Sequence, residues 1–306
     1  MVQPPPVQAI VPAFNGGEGL LGSLASLRAS SYPRLELTVV DNASTDGSLA
    51  QVRRRFPDVR LLSNERNLGF GAGCNVGIRD ALERGAEFVL LVNQDAAVSP
   101  ALVELLVACA EQHPRAGVIG PKTLSTEPMP DGRPRLLYAG SWRRRLPLRQ
   151  TIPGIEQADA GGPAKALRTD YVWGHGMLLR AAALREVGLF DPEFFMYYED
   201  LDLCRRMRAA GWEVWYAPRA VMWHAALDGA RAVDSERWRW RCKVHSADVF
   251  HRKNHGPFAA RALTALTVLD EAQELVRTHR LRAARHLLAA FLLSRLGGGP
   301  HGPPEA

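Results

Sequence analysis

The chain has 306 residues, 46% of them hydrophobic, and a formal net charge of +6. That length suits one large α/β domain with an appendage, or two small domains, and that apolar content argues against general disorder. The mild positive balance suits a phosphate-bearing ligand or an anionic membrane surface, whereas arginines scattered along the chain, not arrayed on one stripe, argue against nucleic acid as a partner.

Strand-like and helix-like segments alternate through the first 125 residues. Residues 7–14 form an apolar run ended by Asn15-Gly16-Gly17 and read as a strand; residues 18–29 read as a helix. A strand over 35–40, a helix over 48–56 and a short strand over 59–62 follow. Residues 72–84 read as a helix stopped by Gly85, and 88–92 as the most apolar strand. Ser99-Pro100 supplies a cap residue and a first-position proline for a helix running to about residue 113. Another strand begins at Val118-Ile119.

Residues 125–165 are rich in Pro, Gly and Arg and read as a long excursion with one hairpin around 136–142. Regular structure is expected again over 170–180, followed by a short helix over 181–187. A helix opens at Glu199, and an apolar strand over 220–224 ends on His224. Two helical segments are expected over 259–296, separated near Thr278-His279, and the Gly/Pro-rich last ten residues read as disordered. The expected division is therefore 1–257 for the main domain, 258–296 for a helical extension and 297–306 for a tail.

The four cysteines, Cys74, Cys109, Cys204 and Cys242, have no metal or redox spacing, which suggests reduced core thiols and a cytoplasmic setting. No basic segment followed by an apolar run opens the chain, and no stretch reaches the ~20 apolar residues of a membrane span.

Strand–helix alternation implies a mostly parallel sheet flanked by helices, with ligands beyond the carboxyl ends of the strands. The polar residues at those ends are Asn15, Asp41-Asn42, Asn64 and the triplet Asn93-Gln94-Asp95. Asp41 can accept hydrogen bonds from a nucleobase or a ribose hydroxyl; Ser44 or Asp46 suits a helix cap. The segment 64–73, NERNLGFGAG, lacks the dinucleotide fingerprint and reads as a tight turn with close helix packing, leaving Arg66 available to a phosphate. Asp95 can hold Mg²⁺ or Mn²⁺, ions that keep waters and take phosphate oxygens as ligands.

Trp173-Gly174-His175-Gly176 places glycines around a histidine, as close backbone approach to a ligand or to another strand requires. Glu199 and Asp200 follow the aromatic run Phe194, Phe195, Tyr197 and Tyr198; acids placed there are costly unless they bind a cation or move a proton. Asp202 fits an ordinary ion pair with Arg205 or Arg206. His224, at a strand end, is either a ligand or a structural residue.

Six blocks in this order resemble the family-2 inverting glycosyltransferases with the GT-A fold: VPAFNG, VVDNASTDGS, NERNLGFGAGCNVGI, LLVNQDA, GHGMLLRAAALREVGLFD and FFMYYEDLDLCRRMRAAGWEVWYAP with a later His. The pattern is most similar to the rhamnosyltransferase-like branch, which builds polysaccharides from nucleoside-diphosphate sugars. The resemblance implies an α/β GT-A sheet with a C-terminal helical extension and a dTDP- or UDP-sugar donor. It implies a saccharide or lipid-linked acceptor, with rhamnose as a candidate sugar. It further implies that Asp41 reads the nucleobase, flanked by the backbone of Pro12, Ala13 and Phe14. Asp95 matches the surviving carboxylate of a D-x-D-like motif whose first position here is Asn93, a residue expected on the nucleotide, and His224 matches an additional metal ligand. Asp200 matches the catalytic base, beside Glu199, and residues 173–176 would lie near the sugar or acceptor.

Two other functions compete. A nucleotidyltransferase would carry a basic, Gly-rich loop after the first strand, where this chain has Phe14-Asn15-Gly16-Gly17-Glu18. A non-catalytic scaffold would not need Asp95, Asp200 and His224 together. For residues 259–296, two readings stand: a helical hairpin packed on the domain, or an amphipathic element on the cytoplasmic face of the membrane, its arginines meeting anionic headgroups.

Overall fold

The computed structural model describes residues 3–143, 150–151, 155–225 and 233–294. The expected tail at 297–306 lies outside these residues.

The first half alternates as the sequence implies: β1 (Val7–Ala13), α1 (Gly17–Arg28), β2 (Leu35–Asp41), α2 (Ser48–Arg55), β3 (Arg60–Ser63), α3 (Phe70–Glu83) and β4 (Phe88–Val92). β1 and β4 are buried along their whole length, as strands covered by helices on both faces must be. α1 turns Leu20, Leu21, Leu24 and Leu27 onto the sheet at helical spacing. Next come β5 (Ala96–Val98), α4 (Leu102–Gln112), β6 (Ala116–Ser125), β7 (Leu136–Tyr138), β8 (Trp142–Arg143), β9 (Gln150–Thr151), β10 (Leu167–Arg168), β11 (Gly176–Arg180), α5 (Ala181–Val187), α6 (Glu199–Ala209) and β12 (Glu213–His224).

The main sheet runs β10-β12-β6-β11-β4-β1-β2-β3. β4, β1, β2 and β3 are mutually parallel, as are β6 and β12, while β11 is antiparallel to both β4 and β6. The strand order reverses at β1: β2 and β3 lie on one side, β4 and everything after it on the other. Such a reversal opens a crevice at the carboxyl ends of β1 and β4. Two apolar clusters fill the space on either side of the sheet, one centred on α1 and α4 and the other on α3, α5 and α6.

Four local expectations are corrected. The α4 ladder starts at Ala101, not at Ser99-Pro100, because the Pro100 carbonyl accepts the Ser31 N–H at 3.0 Å. The strand pair near 136–142 is not one hairpin: β7 pairs with β6, and β8 with β9. Of residues 170–180, only 176–180 form a strand. The strand ending at His224 begins at Glu213, and its register jumps between Ala217 and Val221, which accommodates Pro218.

Beyond His224, α7 (Val233–Arg277) and α8 (Leu281–Ser294) form a helical pair. α7 is broken at Gly256 (φ 77°) and Pro257, so the expected division at 257 falls at a kink inside one helical element. The two helices share a third cluster containing Val244, Val268, Leu275 and Leu287. Cys74, Cys109, Cys204 and Cys242 are buried free thiols.

Candidate active site

The loops after β1 and β2 are laced together. Asn15 donates its N–H to Ser44 Oγ (2.9 Å), and its side-chain oxygen accepts the Thr45 N–H (2.8 Å). Asp41, buried at the end of β2, accepts the Ser44 N–H on Oδ1 at 3.0 Å. Asp46 accepts the Ser48 N–H at 3.0 Å at the start of α2. Burial pushes the Asp46 carboxyl up, but hydrogen bonds from Ser48 and Gly17 outweigh it and hold the group below its ordinary value. Pro12 and Ala13 are buried in β1 opposite Val40 and Asp41.

Gln94 clamps the crevice at its other wall. Its side-chain oxygen accepts the Phe14 N–H (2.9 Å) and its amide donates to the Phe14 carbonyl (3.1 Å). Thus the carboxyl ends of β1 and β4 are locked by one side chain. The segment after β3 docks through Asn64, which donates to Asn42 (2.8 Å), and through Asn42, which donates to the Gly69 carbonyl (3.1 Å). Gly69 has φ 85°, and a Cβ there would sit 2.2 Å from the Phe195 carbonyl oxygen, so only glycine fits. Arg66 stands exposed on this loop.

Asp95 and His224 meet. Asp95 Oδ1 lies 3.2 Å from His224 Nε2, which is also 3.1 Å from the Asn93 amide. β5 and β12 pair antiparallel at this point, His224 opposite Ala96, so the contact is built by the sheet. Asn93, expected on the nucleotide, is thus in contact with His224. Among the described residues, no group of three or more His, Cys, Asp or Glu side chains converges. One carboxylate and one imidazole suit a divalent ion that keeps waters and takes phosphate oxygens, not a closed four-ligand site. The donors fit Mg²⁺ or Mn²⁺ on those terms.

His175 lies beside this pair, its ring 4.8 Å from His224 and its Nε2 2.8 Å from Thr123 Oγ1. Burial, together with the neighbouring His224, holds the His175 imidazole well below its ordinary value and therefore neutral. Trp173 stands edge-on to it at 5.5 Å. Gly176 lies inside β11, where a Cβ would meet Met222 Sδ at 2.2 Å. That close approach of a side chain from β12, two strands away, accounts for Gly176 by the packing alternative of the two the sequence left open.

The acid pair opens α6. Two consecutive left-handed residues, Tyr197 (φ 71°) and Tyr198 (φ 68°), turn the chain into the helix, a strained path of the kind found at functional sites. Asp200 Oδ2 accepts the Gly174 N–H and Oδ1 the Leu201 N–H, both at 2.8 Å, and the Tyr171 hydroxyl adds a further hydrogen bond. Burial raises the Asp200 carboxyl above its ordinary value against these bonds. Glu199 is raised well above its own, by burial and by the charge of Asp200, and its Oε2 has no hydrogen-bond partner. Burial and the Asp200 charge favour the acid form of Glu199, whereas the bonds from Gly174, Leu201 and Tyr171 favour the ionised form of Asp200 against its own burial. Asp202 pairs with Arg206 at 2.7 Å, which assigns it the structural role.

The structure therefore joins Asp95, His224, Asn93, His175, Trp173, Gly174, Asp200 and Glu199 in one neighbourhood, and Asp41 with residues 12–15 in another, across the same crevice. Sequence reasoning passed over Gln94, Thr123 and Tyr171. Gln94 sat inside a polar strand-end triplet and was within reach; Thr123, in a strand buried throughout, gave no signal.

A sheet reversed at its first strand, with strand-end carboxylates and a helix-start acid pair facing one crevice, defines a GT-A glycosyltransferase fold. Two solved structures are similar in fold. One is a Pyrobaculum calidifontis mannosyltransferase, PcManGT, in complex with GDP-Man and Mn²⁺ (19% identity, 94% of this chain and 86% of that one, TM-score 0.58). The other is GalNAc-T7 with UDP, GalNAc and Mn²⁺ (14% identity, 81% of this chain and 50% of that one, TM-score 0.60). A family model described as "Glycosyltransferase like family 2" matches residues 4–243, and the chain belongs to that family. It is 31% identical over 232 residues to the N-acetylglucosaminyl-diphospho-decaprenol L-rhamnosyltransferase of Mycobacterium tuberculosis (strain ATCC 25618 / H37Rv), covering 72% of this chain and 75% of that protein. It is 25% identical over 274 residues to the dTDP-rhamnosyl transferase RfbF of Shigella flexneri, covering 86% and 88%.

Proposed function

We propose that this glycosyltransferase moves a deoxyhexose of the rhamnose type from a dTDP- or UDP-sugar to a hydroxyl of a lipid-linked saccharide, inverting the anomeric centre in a metal-dependent reaction at the cytoplasmic face of a membrane. The rhamnosyltransferase relatives support the donor class, and the decaprenol-diphosphate name of one supports the acceptor class. The observation that carries the mechanism is the short segment 173–176: Gly174 holds Asp200, and the next residue, His175, packs on His224. Proton acceptor and diphosphate end are thereby a few residues apart.

Asp41 accepts from the nucleobase or ribose, with the backbone of Pro12, Ala13 and Phe14 beside it. Arg66 meets the phosphates. Asp95 and His224, with Asn93 against the ring, would hold a divalent cation, which neutralises charge developing on the leaving diphosphate. Trp173 and neutral His175 line the sugar. Asp200 takes the proton of the acceptor hydroxyl as its oxygen bonds the anomeric carbon and the bond from that carbon to the phosphate oxygen breaks. A single displacement needs no second carboxylate as covalent nucleophile, and burial favours the acid form of Glu199, which leaves Asp200 as the base.

The test is a thermal-shift screen of dTDP-, UDP- and GDP-sugars with Mn²⁺ or Mg²⁺. Transfer assays with the stabilising donor and a prenyl-diphosphate N-acetylglucosamine acceptor follow, with product anomeric configuration read by NMR. A retained configuration overturns inversion, and stabilisation by GDP-sugars alone overturns the donor class.

A further inference from the structure

We propose that the groove between α7 and α8 is a docking site for anionic lipid headgroups, seating the enzyme on a membrane surface. The groove has a volume of about 760 Å³. Arg237 and Arg241 from α7 and Arg282 and Arg285 from α8 line it, over a floor that includes Ala290 and Leu293. Four guanidiniums in one groove repel one another, and none of the four forms an ion pair with a carboxylate among the described residues. Arg237 Nε lies 3.5 Å from His286 Nε2, and Glu236 faces His286 at 3.4 Å. Clustered guanidiniums bind phosphate-type oxygens through paired N–H groups.

A second, independent observation names the chemistry of the partner. Large apolar side chains left exposed in this protein concentrate on the same two helices. Phe258 is 98% exposed at the α7 kink, Leu266 58%, Leu269 52% and Leu292 66%. α8 (LRAARHLLAAFLLS) contains arginines and no acid. Helices that bury one apolar face and also carry exposed large apolar residues and arginines match the bilayer interface, where apolar residues enter and cations meet headgroup phosphate. No helix among the described residues is long and apolar enough to cross a membrane. A second copy of the chain fits less well, because an isologous contact through this face would bring two arginine clusters together.

Docking at this face is coupled to the crevice. The first half of α7 is bolted to the segment that leads into Glu199 and Asp200. Ser246 donates to the Met196 carbonyl (2.9 Å), Lys253 pairs with Asp191 and Glu193, and Tyr198 packs on Phe250 at 5.6 Å. The helix whose arginines meet the headgroups is thus the brace behind the acid pair, which sets the acceptor side of the crevice by the lipid. That last step rests on the acceptor reading above; the docking does not.

The experiment is flotation of the full chain with vesicles of phosphatidylcholine alone and with about 30% phosphatidylglycerol, at low and high salt. Recovery is expected only with the anionic vesicles, falling as salt rises. Arg282→Gln/Arg285→Gln, on exposed positions, is expected to weaken binding about thirty-fold, at about fivefold per arginine. Phe258→Ser is expected to weaken binding while keeping the salt dependence, and circular dichroism melting checks that each variant folds. Both variants are expected to keep wild-type transfer to a short-chain, water-soluble acceptor and to lose rate on a vesicle-borne one. Equal recovery with both vesicles, or variants that bind like the wild type, overturns the docking site. So does inorganic phosphate binding without vesicle binding, or a concentration-dependent dimer abolished by the same substitutions. Vesicle binding as expected with no transfer to any acceptor leaves the docking site standing and removes the acceptor reading instead.

Discussion

Gly174 donates its backbone N–H to Oδ2 of Asp200 at 2.8 Å, from a point 26 residues earlier in the chain. The bond fixes the carboxylate with one lone pair committed to the backbone, and Leu201 commits the other oxygen in the same way. A buried acid so held keeps its orientation while burial raises its proton affinity, which is what a base acting on a weakly acidic hydroxyl requires. Asp200→Asn is expected to lower kcat by roughly 10²–10⁴-fold with donor affinity unchanged. Steady-state kinetics paired with donor calorimetry checks this, and transfer within a few-fold of wild type would remove Asp200 from the role.

Glu199 gives a pH signature. Burial and the neighbouring Asp200 raise its carboxyl well above the ordinary value, so the folded state holds more tightly a proton that the unfolded state releases at that ordinary value. Stability from this group is full below that unfolded value and is lost as pH rises through the folded one. Glu199→Gln mimics the protonated acid and is expected to flatten this decline, so its Tm exceeds that of wild type increasingly as pH is raised from 5 to 9. Parallel Tm curves for the two proteins would show that Glu199 is not held protonated.

The sheet and its crevice were legible because alternation and strand-end polarity are local signals: residues 7–14, 35–41 and 88–95 announce both the strand and the ligand end. Asp95 and His224 were legible as strand-end residues, but their contact depends on β5 pairing with β12, a non-local event. Gln94 was hidden by its neighbours, which carried the better-known chemistry. Thr123 and Tyr171 lie far along the chain from His175 and Asp200 respectively, and only the fold brings each to its partner. The true length of β12 was obscured by Pro218, which reads as a strand breaker until the register jump is seen.

Gln94 makes two hydrogen bonds to the backbone of one residue, Phe14. Gln94→Ala leaves that N–H and carbonyl unpaired at the crevice wall, and is expected to cost about 1–3 kcal/mol of stability. Nucleotide affinity is expected to fall with it, because the β1 end that flanks the base loses its anchor to β4. Urea unfolding and calorimetry with dTDP or UDP measure the two effects; full stability with full affinity would show that the clamp is dispensable.

Asp95 and His224 face each other at 3.2 Å, so their contributions to metal-dependent donor binding should not add. Each alanine variant is expected to raise the Mn²⁺ concentration needed for half-maximal donor binding, and the double variant to do little more than the worse single one. Wild-type activity that survives exhaustive EDTA treatment would sink the metal reading for both residues.

Asp41 already has a structural partner, the Ser44 N–H on Oδ1, so loss of function in Asp41→Ala alone would be ambiguous. Asp41→Asn resolves it. The amide oxygen can still accept the Ser44 N–H and keep the turn, while the negative charge and the second acceptor oxygen are gone. A hydrogen bond to a charged group contributes about 1.5–3 kcal/mol, so affinity for free dTDP or UDP is expected to fall about 10- to 100-fold in Asp41→Asn at unchanged Tm. Asp41→Ala should lose both affinity and stability. Calorimetry with the free diphosphate reads the base end of the site without the sugar. An asparagine variant that binds nucleotide like the wild type would confine Asp41 to holding the turn after β2.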